Sequence, residues 1–331
     1  EGVYRTLAWI VSVMLPPMAI FFPLFTLAED LGLLPRIAFN LDKYFKKCCA
    51  CGKQALTMCM GFGCNAAGVV GCRIIDSPRE RLIAMITNSF VPCNGRFPIL
   101  IAVITMFFSG NSFYSSLILL AIIVTGILLT FLVSFLLSKT ILKGQPSSFT
   151  LELPPFRRPQ IGNVIVRSLL DRTIFVLGRA VAIAAPAGLV IWLFANISVG
   201  GVSILAHIHT FLDPLGRLMG LDGVILLAFI LGMPANEIVI PIIIMSYMAT
   251  GTLTPFDNLT QLKNLLISNG WTPVTAVSTM LFTLVHWPCT TTLLSVKKET
   301  GSFKWTFAAF AIPTITGFLI CFLFASIARL F

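Results

Sequence analysis

Residues 61–72 read GFGCNAAGVVGC, a stretch that is too rich in glycine for a stable helix and too apolar for a surface loop. The rest of the chain places this stretch inside a membrane protein. Of 331 residues, 57% are hydrophobic and only 11% are charged. Apolar runs of about 18 residues or more recur, which is the length that crosses the hydrocarbon core of a bilayer. Because these runs are continuous and do not alternate, they predict an all-α polytopic membrane protein.

Six apolar stretches predict full crossings, and two less regular segments predict re-entrant elements. The crossings are expected near residues 6–28, 82–108, 113–138, 173–195, 274–296 and 305–328. Residues 54–72 and 224–249 carry Gly, Pro or Asn near their centres, which weakens a continuous helix. If each segment enters and leaves on one side, 17 of the 23 Lys and Arg face a single compartment, which identifies that side as cytoplasmic. The net charge of +10 therefore reflects topology, and no nucleic acid partner is expected.

The chain also contains an internal repeat, whose two copies are expected to be inverted. Asp42, Gly52, Gly61 and Asn65 recur 171 positions later as Asp213, Gly223, Gly232 and Asn236, and the pair Pro92–Cys93 recurs 196 positions later as Pro288–Cys289. In the orientation above, the copies enter the membrane from opposite sides, as in many secondary transporters. We therefore predict a first repeat over 1–140, a basic cytoplasmic connector with an amphipathic helix over 141–172, and a second repeat over 173–331.

The two broken segments predict a shared permeation site near the middle of the membrane. Its candidate residues are three thiols, two amides and one carboxylate, namely Cys64, Cys93, Cys289, Asn65, Asn236 and Glu237. Such donors suit a borderline or soft divalent cation better than Mg²⁺ or Ca²⁺. A carboxylate at this depth is costly, so its presence indicates a function or a buried partner.

Other interpretations of the same residues stay open. A membrane cysteine is usually a small apolar filler, and the two asparagines can cap half-helices. Glu237 can serve as a proton site or neutralise Arg96, and His286 near Cys289 is equally compatible with a core role and a ligand role. The cysteines at 48–51 lack the second ligand pair of a zinc fold and are interpreted as free thiols.

Five motifs together resemble the membrane region of the prokaryotic ferrous iron transport protein B family. They are LAEDLGLLPRIAFNLDKYF, GFGCNAAGVVGCRIIDSPRERL, VPCNGRFPILI, GMPANEIVIPIIIMSYM and WPCTTTLLSVKKETGSFKW. The membrane region of that family contains two Gate motifs, which are shared with nucleoside-recognition membrane proteins and agree with the repeat. The chain departs from many members in having Ala67 where they have proline and GMPANE where they have a lysine-containing form.

The resemblance implies import of Fe²⁺, as transported substrate, across the bacterial inner membrane. It places metal-handling cysteines at Cys64, Cys93 and Cys289 and an acidic pair at Glu29 and Asp30. Members begin with a soluble GTPase domain, whereas no P-loop pattern occurs here, so we expect that domain, and GTP with it, in a longer chain or on a separate partner. Other implied partners are lipid, small cytoplasmic Feo accessory proteins and further copies of the chain.

Three other classes of function compete with iron transport. A Gate-type carrier of an organic solute such as a nucleoside would use Asn65, Asn236 and Glu237 as hydrogen-bonding groups and the cysteines as filler. A membrane scaffold without transport is disfavoured by the broken segments and by the carboxylate within one of them. A membrane enzyme is disfavoured because the sequence shows neither a Ser/His/Asp set nor an H-E-x-x-H motif.

Overall fold

The computed structural model describes residues 2–48, 50–108, 112–144, 173–199, 201–249 and 259–330, together with the single positions 162, 166 and 170. Most of these residues are helical, and a short antiparallel hairpin pairs Ser198–Val199 with Val202–Ser203. The amphipathic helix that we expect within the connector lies outside the described residues, apart from those single positions.

The helices of the first half precede the connector. They are α1 (Gly2–Asp30), α2 (Leu33–Lys47), α3 (Lys53–Gly63), α4 (Asn65–Gly71), α5 (Pro78–Thr87), α6 (Phe97–Phe107) and α7 (Ser112–Lys139), with 3₁₀ turns at Cys72–Ile74 and Asn88–Phe90.

The helices of the second half follow it. They are α8 (Phe175–Asn196), α9 (Ile204–Leu218), α10 (Gly223–Leu231), α11 (Val239–Met248), α12 (Leu259–Ser268), α13 (Pro273–Val285), α14 (Thr290–Thr300) and α15 (Phe303–Ala328), with a 3₁₀ turn at Asn236–Ile238.

Four helices of the described chain, α1, α7, α8 and α15, are long and apolar enough to cross a bilayer. A fifth candidate is the pair α9 and α10, which is bent by 109°. Leu120 and Leu132 on α7, and Ile315 and Leu323 on α15, are exposed at the protein surface. Helices that are apolar on their exposed side as well as on their buried side face lipid, so the chain is a multi-pass membrane protein.

Two of the six predicted crossings are not continuous helices. Segment 82–108 consists of α5 and α6, and segment 274–296 lies in α13 and α14, with an interruption between the helices of each pair. The interruptions contain Pro92 and Pro288. Proline has no backbone N–H to donate and disfavours helical geometry in the residue before it. Each of these apolar segments is therefore divided into two helices, one before the proline and one after it.

The two segments that were expected to be broken are interrupted at equivalent residues. Cys64 alone connects α3 to α4, with φ −157° and ψ 124°. Its counterpart 171 positions later, Ala235, precedes the turn that begins at Asn236 and has φ −154° and ψ 119°. Both copies thus place one extended residue directly before an asparagine.

The glycines of the first broken segment leave room for a neighbouring side chain. A Cβ atom at Gly61 would lie 2.7 Å from Oδ1 of Asn88, and one at Gly68 would lie 2.6 Å from its Nδ2. Asn88 occupies this space, and its Nδ2 donates to the carbonyl oxygen of Asn65 at 3.0 Å. The unusual composition of residues 61–72 therefore reflects close packing around a buried amide.

A polar link between neighbouring helices also repeats at the same offset. Oδ1 of Asp42 accepts a hydrogen bond from the N–H of Gly52 at 2.9 Å, and Oδ1 of Asp213 accepts one from Gly223 at 3.2 Å. Each aspartate also forms an ion pair with the basic residue four positions later. The same contact therefore fixes α2 against α3 and α9 against α10.

The first helices of the two copies pack against each other in opposite directions. Gly2 of α1 faces Trp192 of α8, and Thr6 of α1 faces Gly188 of α8. As the residue number rises along α1, the facing residue number falls along α8. The two helices are therefore antiparallel.

We expect Gly52→Ala and Gly223→Ala to destabilise the protein by similar amounts, about 1–3 kcal/mol each. At either position a Cβ atom would overlap a carbonyl oxygen of the preceding helix, that of Ala38 or that of His209. Gly178→Ala is the matched control, since a Cβ atom there meets nothing within 4 Å. Thermal unfolding of the purified protein in detergent measures the effect, and equal stability of all three variants would contradict the repeated packing.

Candidate functional site

The broken segments of both copies meet at a small cavity of about 40 Å³. This volume is enough for an ion or for a few water molecules. All six residues that were predicted for the membrane interior line it, namely Cys64, Asn65, Cys93, Asn236, Glu237 and Cys289. The structure thus brings together thiols, amides and a carboxylate that are up to 225 positions apart in the sequence.

The predicted acidic pair does not reach this cavity. Glu29 and Asp30 lie at the exposed end of α1, and Glu29 lines a second, larger cavity of about 480 Å³. Val176 and Thr291 line both cavities, which therefore adjoin. The other charged residues around the larger cavity are Arg73, Arg179, Lys298 and Glu299.

The cysteines of the two Pro-Cys motifs sit in equivalent turns. The carbonyl oxygen of Cys93 accepts from the N–H of Arg96 at 2.9 Å, and that of Cys289 accepts from the N–H of Thr292 at 2.9 Å. Sγ of Cys289 also lies 3.1 Å from Oγ1 of Thr292. The same turn therefore delivers one thiol from each copy to the small cavity.

Glu237 enters the cavity through a gap that a glycine provides. Its backbone carbonyl accepts from Nε1 of Trp9 at 3.1 Å, which ties the second copy to α1 of the first. Its carboxylate lies over Gly95, where a Cβ atom would be 2.5 Å from Oε1. The absence of a side chain at position 95 thus makes room for the carboxylate.

The buried Arg96 binds backbone carbonyls rather than Glu237. Its Nη1 donates to the carbonyl oxygens of Ser89 at 2.6 Å and Leu284 at 2.8 Å, and its Nη2 donates to that of His286 at 3.1 Å. These carbonyls lie at or near helix ends, where the helix itself offers no N–H group to donate to them. The geometry therefore does not support an Arg96–Glu237 pair, and Arg96 instead links the breaks of the two copies.

Within the described residues, no group of three or more Cys, His, Asp or Glu side chains is close enough together to bind a metal ion. The thiols and the carboxylate share one cavity without forming a coordination shell. An ion held by three or more of them requires side-chain rotation or contraction of the cavity.

Sequence reasoning missed four other residues lining the small cavity whose side chains carry a sulfur or a polar atom, Met14, Met18, Asn94 and Thr291. Met14 and Met18 are one helical turn apart and flank Pro16 and Pro17, a spacing that places both thioethers on one face. Asn94 directly follows the first Pro-Cys pair. Its position next to Cys93, a predicted site residue, was the signal that could have identified Asn94.

Two family models match the chain. Residues 11–108 match the Gate family, which is described as nucleoside recognition, and residues 119–171 match the C terminus of ferrous iron transport protein B. No solved structure matches the chain at a significant level.

Curated relatives align with nearly the whole chain. The Fe(2+) transporter FeoB of Staphylococcus aureus (strain COL) is 31% identical over 97% of this chain and 47% of the relative. The protein of the same name from Methanocaldococcus jannaschii is 29% identical over 97% of this chain and 48% of the relative. A fusion of Fe(2+) transport protein A with FeoB from Porphyromonas gingivalis is 25% identical over 97% of this chain and 43% of the relative.

The chain spans about half the length of the curated relatives that it matches. The matched part carries the apolar helices and both broken segments. These findings confirm the resemblance of the chain to the membrane region of the ferrous iron transport protein B family.

Proposed function

We propose that the chain forms the membrane pathway of a GTPase-linked importer that carries Fe²⁺ across the bacterial inner membrane. The observation that carries this proposal is the convergence of three thiols, two amides and one carboxylate from both copies on one cavity. This donor set suits a borderline divalent cation. The names of the relatives, which are Fe(2+) transporters, support the choice of iron among such cations.

The larger cavity is the route from the site to the cytoplasm in this proposal. It adjoins the small cavity and contains residues from loops that the positive-inside rule assigns to the cytoplasm. Arg73 and Glu299 form a bidentate ion pair beside it, with distances of 2.7 and 2.8 Å. Glu29 supplies a carboxylate on the same route.

We also infer that the chain has six crossings and two re-entrant segments in inverted repeats over 1–140 and 173–331. The antiparallel packing of α1 and α8 supports inversion, because equivalent helices of inverted copies run in opposite directions. The irregular backbone at the breaks lines a cavity, which is where the membrane interior tolerates it.

The GTPase domain, in the same chain or on a partner, is proposed from the family resemblance as the source of energy. The Porphyromonas gingivalis relative, which fuses transport protein A to the transporter, supports an accessory protein of that kind as a partner. A carrier of an organic solute is the second candidate, and the match to the Gate family favours it.

We expect the double variant Cys64→Ser Cys93→Ser to bind Fe²⁺ at least about tenfold more weakly than the wild type, since changes to outer-shell residues alone cost that much. The measurement is anaerobic equilibrium dialysis of the purified chain with Mg²⁺ in excess. Cys321→Ser is the matched control, because this buried thiol donates to the carbonyl oxygen of Ser278 and lies outside the cavity. Unchanged binding in the double variant would show that Cys64 and Cys93 only fill space in the interior, and it would favour the organic-solute carrier.

Gly95→Ala should reproduce the loss of Fe²⁺ binding that we expect for Glu237→Gln. The new methyl group would displace the carboxylate, since it would lie 2.5 Å from Oε1. The same dialysis compares both variants with Gly178→Ala, whose new methyl group meets nothing within 4 Å. Normal binding by Gly95→Ala together with weak binding by Glu237→Gln would show that the ion meets the carboxylate in another position.

Inverted topology predicts that α2 and α9 lie on opposite faces of the membrane. Phe211 on α9 is 82% exposed, and Lys47 on α2 is exposed as well. An impermeant thiol reagent should label Phe211→Cys from the outside of spheroplasts and Lys47→Cys only in inside-out vesicles, each above the labelling of the parent chain. Labelling of both positions from one side would rule out the inversion.

A further inference from the structure

His286 lies in the break between α13 and α14, directly before the Trp-Pro-Cys motif of the second copy. Its side chain is 1% exposed and packs against the rings of Phe229 and Phe282, with centroid distances of 4.8 and 5.9 Å. It does not line the small cavity but stands behind Asn236, which does. A buried polar ring at this place requires hydrogen-bond partners.

Two carbonyl oxygens decide which ring nitrogen of His286 carries the proton. Nδ1 lies 3.1 Å from the carbonyl oxygen of Phe282 and 2.9 Å from that of Thr283. Since a carbonyl oxygen can only accept, Nδ1 is the donor. A second proton on Nε2 would place a buried cation beside Arg96, whose guanidinium donates to the backbone carbonyl of His286. The ring is therefore neutral, and Nε2 is an acceptor.

This acceptor determines the orientation of the Asn236 amide. As placed, Oδ1 of Asn236 lies 3.3 Å from Nε2 of His286. The two terminal atoms of an amide have nearly the same shape, and their hydrogen-bond partners assign them. Because Nε2 needs a donor, we reverse the amide so that Nδ2 faces the ring nitrogen. Oδ1 of Asn236 is then directed away from the ring, and the residue lines the small cavity.

Asn65 in the first copy is anchored in a similar way. With its amide oriented to satisfy its neighbours, Nδ2 donates to the carbonyl oxygens of Gly61 at 3.1 Å and Val91 at 3.2 Å. Val91 directly precedes Pro92, just as the residue after His286 directly precedes Pro288. Each amide nitrogen is thus held by the break of its own copy.

We propose that His286 is a positioning residue that presents Oδ1 of Asn236 to a divalent cation in the small cavity. The ring does not touch the ion. It holds the amide nitrogen, so that an oxygen lone pair and not an N–H group meets the positive charge. This inference rests on the proposed function only in taking a cation as the occupant.

Nitrogen-15 NMR of the metal-free protein, labelled at histidine, tests the orientation directly. The chain has 3 His, and the signals of His286 are those that disappear in His286→Leu. We expect a neutral ring protonated at Nδ1, with an Nε2 shift that changes in Asn236→Leu but not in Asn65→Leu. A proton on Nε2, in a neutral or a cationic ring, would overturn the proposal.

Anaerobic Fe²⁺ binding then tests whether the orientation matters. His286→Leu removes the acceptor and should weaken binding by about 10–100-fold, whereas His286→Gln, which offers an acceptor oxygen, should recover most of the loss. The control is Thr279→Val, a residue of α13 that is 0% exposed and whose hydroxyl donates to the carbonyl of Thr275. Combining His286→Leu with Asn236→Leu should cost no more than Asn236→Leu alone.

Equal losses in His286→Leu and Thr279→Val, or a failure of His286→Gln to recover binding, would show that the ring acts through packing and would overturn the positioning role. A wild-type chain that binds no Fe²⁺ would instead contradict the proposed function. The NMR result is independent of that outcome, because it concerns the metal-free protein.

Discussion

A buried guanidinium, which has no carboxylate partner among the described residues, holds the interruptions at Pro92 and Pro288 together. Arg96 is 0% exposed, and its side chain donates to carbonyl oxygens of both copies, those of Ser89, Leu284 and His286. Such carbonyls have no partner in hydrocarbon, and the fixed fork of an arginine can serve several of them at once. The backbone N–H of Arg96 also closes the turn at Cys93. Arg96 therefore fixes the position of Cys93 relative to the second copy.

Around Arg96, the two copies have the same backbone arrangement but different side-chain charges. Both place an asparagine after an extended residue and a cysteine after a proline. The extended residue is Cys64 in the first copy and Ala235 in the second, and only the second adds Glu237 after its asparagine. Of the predicted residues, the first copy thus brings two thiols and an amide to the small cavity, and the second brings one thiol, one amide and the carboxylate.

The sequence predicted the breaks within 54–72 and 224–249 and the residues that converge there, because prolines, glycines and a constant repeat offset can be read directly from it. It did not predict the interruptions at Pro92 and Pro288, since 82–108 and 274–296 were expected to cross as full helices. It did not predict that Arg96 and His286 bind across the interior, since Arg96 reaches partners 188 and 190 positions away and no local pattern encodes such contacts. Only the resemblance implied a role for Glu29, which lies outside the small cavity. It follows Met18 by eleven residues along α1, which is about 16 Å of helix, so both cannot line one small cavity.

Two short helices, α4 and α14, connect the small cavity to the larger cavity. Cys64 and Asn65 stand at the start of α4, and Arg73 follows its end, whereas Cys289 precedes α14 and Glu299 lies in its last turn. The two helices pack against each other, and the Arg73–Glu299 pair joins their far ends. Each spans about 15 Å between its site residue and its charged residue. In the proposed transporter, an ion that draws the site residues together would therefore act on the same two helices whose far ends the ion pair joins.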